Sequence, residues 1–289
     1  MPRALIEKFD VGVVPFGVSY GDETYHTDFY DLTAKAFFAK CRAENIFPKT
    51  SQPTYAHYEE RLRPALSAGA DVICLCITSK FSGSYQSGVM AMNNLKEEFP
   101  DRRILVMDSR RCTVLHGYLV YQACLMAELA ADHTAEESMD FDQIVSNLTA
   151  LLDDQITYVA VDNLEYLRKG GRLGKASALA GSLLDIKPII TFADGELQPH
   201  SKVRGKKKAM AEIIRTTLSA VGDRKDQYVP IVLSSDMPIE VAELAETLKS
   251  HGFGPPIHTW DVGPVAGAHL GPTGFGVTLL KKYPGQKEF

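Results

Sequence analysis

Residues 72–77 read Val-Ile-Cys-Leu-Cys-Ile, an unbroken apolar run that stops at Thr78-Ser79-Lys80-Phe81-Ser82-Gly83-Ser84. A run this short has the length of a strand, and apolar side chains at every position mean that both of its faces are covered. Such a strand belongs in a parallel sheet flanked by helices, and the segments around it supply them. Residues 2–9 read as a short helix and 11–16 as a strand. Residues 31–43 read as a helix with Asp31 as N-cap, and 54–68 as a helix that Pro64 distorts. A helix over 84–98 and a strand over 104–107 follow, and Thr134-Ala-Glu-Glu137 is a capping box that opens a further helix.

The second half follows a different pattern. Strand candidates lie at 158–161, 188–192, 196–199, 229–234, 257–262 and 276–280, with few helices between them, and Asp194-Gly195 is a hairpin signal. The expectation is an α/β protein of two domains. Residues 1–153 form a Rossmann-like parallel sheet with helices on both faces, and 154–289 an α/β domain with a mixed, largely antiparallel sheet. A cleft between two such domains is the expected ligand position.

Composition excludes several classes. With 45% hydrophobic and 23% charged residues the chain is globular in character. No apolar run is read as approaching the roughly 18 residues of a membrane span and no signal-peptide pattern opens the chain, so a cytoplasmic location is expected. A net charge of −5 argues against nucleic acid as a partner. The five cysteines, Cys41, Cys74, Cys76, Cys112 and Cys124, lack paired metal spacing, so reduced buried thiols are expected rather than a zinc site.

Three polar loops carry candidate chemistry: Thr50-Ser51-Gln52-Pro53, the loop from Thr78 to Gln86, and Asp108-Ser109-Arg110. In open α/β sheets ligands bind beyond the carboxyl ends of the strands, and a hydroxyl-rich turn entering a helix offers O–H and N–H donors to an anion. The competing reading of each hydroxyl is a helix cap. Gly170-Gly171-Arg172-Leu173-Gly174 follows a short helix at 164–169, where a glycine pair serves as a C-cap. It does not fit a P-loop, because Lys169 stands in place of the first glycine and Ala176 in place of Ser or Thr. His269 lies among dense glycines, which read as a tight turn; it could donate to a carboxylate, act as acid or base, or be structural. Positive charge gathers at Arg168, Lys169, Arg172 and Lys175, and again at Lys202, Arg204, Lys206, Lys207 and Lys208. That is either a solvated face or an anion or partner site. No nucleophile elbow, zinc-binding His-Glu-x-x-His or dinucleotide fingerprint is present.

Taken in order, these segments resemble the DegV family, the acyl-binding subunits of bacterial fatty acid kinase. The resemblance rests on Val14-Pro15, Thr50-Ser51-Gln52-Pro53, Ser82-Gly83-Ser84-Tyr85-Gln86, Asp108-Ser109, Leu164-Glu165-Tyr166-Leu167 and Gly170-Gly171-Arg172-Leu173-Gly174. It continues through Lys187-Pro188, Lys202-Val203-Arg204-Gly205 and His269-Leu270-Gly271. It implies a non-enzymatic carrier that holds one long-chain fatty acid between its domains, with no other cofactor and no metal. The fatty-acid site would comprise Thr50, Ser51, Ser82, Gly83 and His269. The catalytic subunit of a fatty acid kinase would be the partner, met through Arg204 and Arg172, and the acyl phosphate would feed phospholipid synthesis. The alternative is an enzyme acting on an acyl or phosphorylated small molecule with His269 as general acid or base. One departure stands out: the family opens with a strand and an Asp-Ser turn ahead of the helix that residues 5–9 resemble, whereas here Met1 falls just before that helix. A gap in the sheet and a reduced ligand mouth are therefore expected.

Overall fold

The computed structural model describes residues 1–131, 139–152, 154–179, 185–254 and 257–283. Contacts divide the chain into two compact units, Met1–Gly17 with Ser51–Leu152, and Val18–Thr50 with Asp153–Phe289. One of the cuts falls between Leu152 and Asp153, and residues 18–50 group with the second half. Residues 18–50 join the second half because Phe37 and Phe38 are fully buried there, and their rings lie against Gly267. In chain order the strands are β1 Gly17–Ser19, β2 His26–Thr27, β3 Lys49–Ser51, β4 Val72–Cys76, β5 Ile104–Asp108, β6 Gln155–Ala160, β7 Ile186–Ala193, β8 Glu196–Arg204, β9 Tyr228–Ser234, β10 His258–Asp261 and β11 Phe275–Lys281.

The first unit is built on β4 and β5, which pair in parallel from Val72↔Ile104 to Cys76↔Asp108. Helix Ser84–Glu98 crosses between them, and its buried Gly88, Ala91 and Leu95 face helix Tyr55–Ser67 and the sheet. Gly88 is needed for space: a Cβ there would sit 3.0 Å from Val106. Residues 11–16 belong to no strand, and the strand expected there is confined to Gly17–Ser19; Pro15 has no N–H to give a ladder. Helix Tyr55–Ser67 continues through Pro64. The capping box expected at Thr134 lies outside the described residues; the described helix Phe141–Leu151 is capped by Asp140 and Gln143.

Among the described residues one helix, Thr113–Ala131, is long and apolar enough to cross a bilayer by length and composition alone, although His116, Gln122 and Glu128 interrupt its apolar run. Eight of its residues are buried, including Gln122, and the ring of Tyr121 meets Phe9 edge-on at 5.7 Å. Arg111, just before it, is also buried and donates to the Leu151 carbonyl at the end of helix Phe141–Leu151.

The second unit carries a six-stranded sheet in the order β10-β9-β11-β6-β7-β8 and a three-stranded sheet in the order β2-β1-β3. The larger sheet is antiparallel except for β9 and β10. Asp194 (φ 53°) and Gly195 (φ 79°) make the β7–β8 hairpin turn, the two positive φ values of a type I′ turn. Helices Lys206–Val221 and Pro238–Ser250 pack on this sheet over Ile189, Val232, Phe275 and Leu279. In helix Ala34–Glu44 the N-cap is Thr33, whose hydroxyl accepts from Ala36 N–H, rather than Asp31. The Asp31 carboxylate instead accepts from Thr27 N–H at 2.6 Å.

The phenyl contact at Gly267 yields a stability prediction. A Cβ at this position would meet ring atoms of Phe38 at 2.6 and 2.7 Å and Phe37 at 3.0 Å. Gly267→Ala should destabilise the protein by about 1–3 kcal/mol, the usual cost of overpacking a filled core. Urea titration should show a lower midpoint with an unchanged slope.

Candidate functional site

In the second unit the chain brings Thr50 and His269 together from opposite ends. Thr50 sits in β3, and His269 sits in the last turn of helix Pro264–Leu270. The glycine-dense segment is therefore helical where a tight turn was expected. Gly267 serves close packing, and only Gly271 (φ +87°) turns the chain. His269 Nε2 lies 3.0 Å from Thr50 Oγ1. Its Nδ1 is buried without a hydrogen-bond partner and faces Gly170, where a Cβ would come within 2.2 Å of it. Gly170 is thus fixed by the space the imidazole needs, and its carbonyl accepts from Arg172 Nη1 at 2.6 Å.

Burial pushes His269 down to about 4, and the nearby Arg172 guanidinium adds to the effect. The ring is neutral near pH 7. A bare Nδ1 lone pair costs less than a buried, unpaired N–H. The proton therefore belongs on Nε2, which donates to Thr50 Oγ1. That bond occupies a lone pair of the hydroxyl and leaves its own proton for an acceptor.

The first unit has a polar loop of its own after β4. Most of this loop is accounted for internally. Thr78 N–H donates to the Arg111 carbonyl at 2.8 Å, Ser79 N–H to Asp108 Oδ1 at 3.2 Å, and Lys80 N–H to Thr78 Oγ1 at 3.3 Å. Asp108 also accepts from Arg110 N–H at 2.8 Å. Ser82 Oγ accepts at 3.1 Å from the N–H of Ser84, the first residue of helix Ser84–Glu98, whose N-cap is Gly83, and donates to Gln52 Oε1 at 3.3 Å. In this arrangement the one proton of Ser82 is engaged by Gln52. Gly83 is exposed beneath the Gln52 amide. Gln52 was not singled out from the sequence, although it stands in the Thr50-Ser51-Gln52-Pro53 segment. Ser51 ends β3 with its side chain exposed.

The basic residues divide into paired and unpaired. Lys206 pairs with Glu240, Lys175 with Glu196, and Lys187 with both Asp162 and Asp185. Arg204 is exposed at the end of β8, the outer strand of the sheet, and makes no ion pair among the described residues. His200, Lys202 and Arg204 alternate as exposed positions along β8, after a register shift at Pro199. All five thiols are free, and burial pushes Cys41 and Cys124 up to about 11 and Cys112 to about 12. Among the described residues no cluster of three or more His, Cys, Asp or Glu is placed to hold a metal.

This is a two-unit α/β architecture with hydroxyls in β3 and in the loop after β4. The DegV family, described as one of uncharacterised proteins, matches residues 1–282, and the chain belongs to it. A DegV domain-containing protein of Clostridium acetobutylicum is 31% identical over 277 residues, 96% of this chain and 93% of that protein. Among solved structures, a stearic-acid-binding protein from Eubacterium ventriosum superposes with a TM-score of 0.88 at 30% identity, covering 98% of this chain and 95% of that one. A fatty-acid-binding DegV family protein from Thermus thermophilus gives 0.85 at 29% identity, covering 98% and 96%.

The neutral imidazole has a consequence for stability. An unfolded histidine titrates near 6.5, so between about pH 6.5 and 4 the unfolded chain takes up a proton that folded His269 refuses, and stability falls as pH falls. His116 behaves alike: burial pushes it to about 4 while its Nε2 donates to the Leu75 carbonyl at 3.1 Å. Replacing His269 by Gln removes one of these two groups. Urea titrations at pH 7 and pH 5 should show the variant losing about 2 kcal/mol less than the parent between the two pH values. An identical loss in both proteins would mean that His269 is not held neutral.

Proposed function

We propose that this protein binds one long-chain fatty acid and presents its carboxylate to a separate kinase subunit in the cytoplasm, without catalysing a reaction itself. The reading is carried by the fatty-acid-binding proteins of Eubacterium ventriosum and Thermus thermophilus, whose likeness to this chain extends over 98% of its length. It is supported by two hydroxyls, Thr50 and Ser82, each with a lone pair filled by a protein N–H donor, the Ser82 proton resting on the Gln52 amide oxygen until a stronger acceptor arrives. A carboxylate accepts hydrogen bonds and cannot donate them, so such hydroxyls suit it. Thr50, Ser51, Ser82, Gly83 and His269 form the proposed head-group set. The energetics suffice: roughly 14 buried methylenes at about 0.8 kcal/mol each give on the order of 10 kcal/mol before the cost of association.

Isothermal titration with hexadecanoate should give one site per chain, and lipid extraction of freshly purified protein should recover an acyl chain. Thr50→Ala and Ser82→Ala should each weaken binding by about 1–3 kcal/mol. No acyl chain on extraction, together with no heat of binding, would sink the proposal. Full affinity in both variants would move the head group elsewhere.

The kinase encounter is assigned to Arg204, with Arg172 beside the head-group histidine. An exposed cation without an ion pair adds long-range attraction for a negatively charged partner or product. Arg204→Ala should leave hexadecanoate affinity intact. It should slow acyl-phosphate formation when a fatty acid kinase catalytic subunit and ATP are added. The difference from the parent should be largest at low salt and shrink as ionic strength rises. Phosphorylation at the parent rate would return Arg204 to the solvated surface.

A further inference from the structure

Ser82 has one proton to give, and here it points at Gln52. Ser82 Oγ accepts from Ser84 N–H at 3.1 Å and donates to Gln52 Oε1 at 3.3 Å. In that arrangement nothing remains for an anion. The carboxamide, however, lies over Gly83 with its two ends almost equally placed. A Cβ on Gly83 would be 2.9 Å from Oε1 and 3.0 Å from Nε2. Turning the amide over exchanges oxygen and nitrogen without altering its packing, and the terminal torsion of Gln is soft. In the turned state Nε2–H donates to Ser82 Oγ. The hydroxyl then accepts twice, from Ser84 N–H and from Gln52, and its proton is free to point outward.

We propose that Gln52 is a positioning residue for carboxylate binding that acts through Ser82: its amide turns over as the ligand arrives and commits the Ser82 proton to the carboxylate. The inference rests on the fatty-acid reading given above. Gly83 leaves the amide room in either orientation, since a Cβ there would press on both of its ends. A glutamate at position 52 would remain an acceptor and keep the proton for itself. A methionine fills similar space with neither donor nor acceptor.

The test compares hexadecanoate with hexadecanol, because an alcohol head group can donate to Ser82 as well as accept from it. Parent, Gln52→Met, Gln52→Glu, Ser82→Ala and Ser82→Ala/Gln52→Met are titrated with both ligands at pH 8, after confirming equal urea midpoints. Expected are a loss of about threefold to tenfold in hexadecanoate affinity for Gln52→Met and more than about tenfold for Gln52→Glu, with hexadecanol affinity unchanged within about twofold. In the Ser82→Ala background Gln52→Met should have no further effect, as required if the amide acts only through that hydroxyl. Equal losses for acid and alcohol, an undiminished loss in the Ser82→Ala background, or no loss at all would each overturn the inference. A parent protein that binds no hexadecanoate would overturn the functional reading instead, and the inference with it.

Discussion

The second unit is organised by two phenyl rings lying on a glycine. Phe37 and Phe38 are fully buried, and their rings leave no room for a side chain on Gly267. That contact joins helix Ala34–Glu44 to helix Pro264–Leu270, although more than two hundred residues separate them. Tyr166 reinforces it, with its ring against Gly271 and its hydroxyl on the Ile46 carbonyl at 2.9 Å. The strand bearing Thr50 starts three residues after Ile46, and His269 precedes Leu270 and Gly271. The 3.0 Å hydrogen bond between Thr50 and His269 thus follows from apolar packing that surrounds it. Directional polar contacts are held to a few tenths of an ångström only where close-packed neighbours lock their rotamers.

The same packing sets the charge. Removing imidazole from water disfavours its cation, so His269 stays neutral and acts as a donor of fixed direction. A charged imidazolium would bind an anion more tightly but would need solvation that this position denies it. A neutral donor acting through a hydroxyl gives a gentler grip.

Much of this arrangement was legible in the sequence. The helix over 84–98 and the strands of the second half appeared where apolar patterns and turn residues put them, and Asp194-Gly195 is the hairpin it promised to be. Three features were hidden, each for a physical reason. Helix Thr113–Ala131 has buried residues around much of its circumference, so no amphipathic period marks it. The excursion of residues 18–50 into the second unit depends on Phe37 and Phe38 finding Gly267, a long-range fit that local patterns do not encode. The helix bearing His269 was masked by its glycines, which read as turn formers, whereas Gly267 is there for lack of space.

Thr50 and Ser82 share a logic that residue identity alone did not reveal. A hydroxyl is both donor and acceptor, and a sequence shows only that it is present; its neighbours decide which it is. At Thr50 an imidazole N–H fills a lone pair, and at Ser82 a backbone N–H at a helix N-terminus does so. Neither arrangement uses a formal charge. Lysine or arginine could hold a carboxylate more strongly, but each would hold phosphate, sulfate and solvent anions as well. A hydroxyl whose lone pair is filled by a protein N–H is instead left with a proton whose direction is set by the acceptors in reach, which for Ser82 is the Gln52 amide oxygen. The cations follow a different rule, with Lys175, Lys187 and Lys206 tied to acidic partners while Arg204 stands exposed at the end of an outer strand. The hydroxyls are thus oriented by neighbouring N–H donors, whereas each cation is neutralised or left uncompensated according to whether a carboxylate lies in reach.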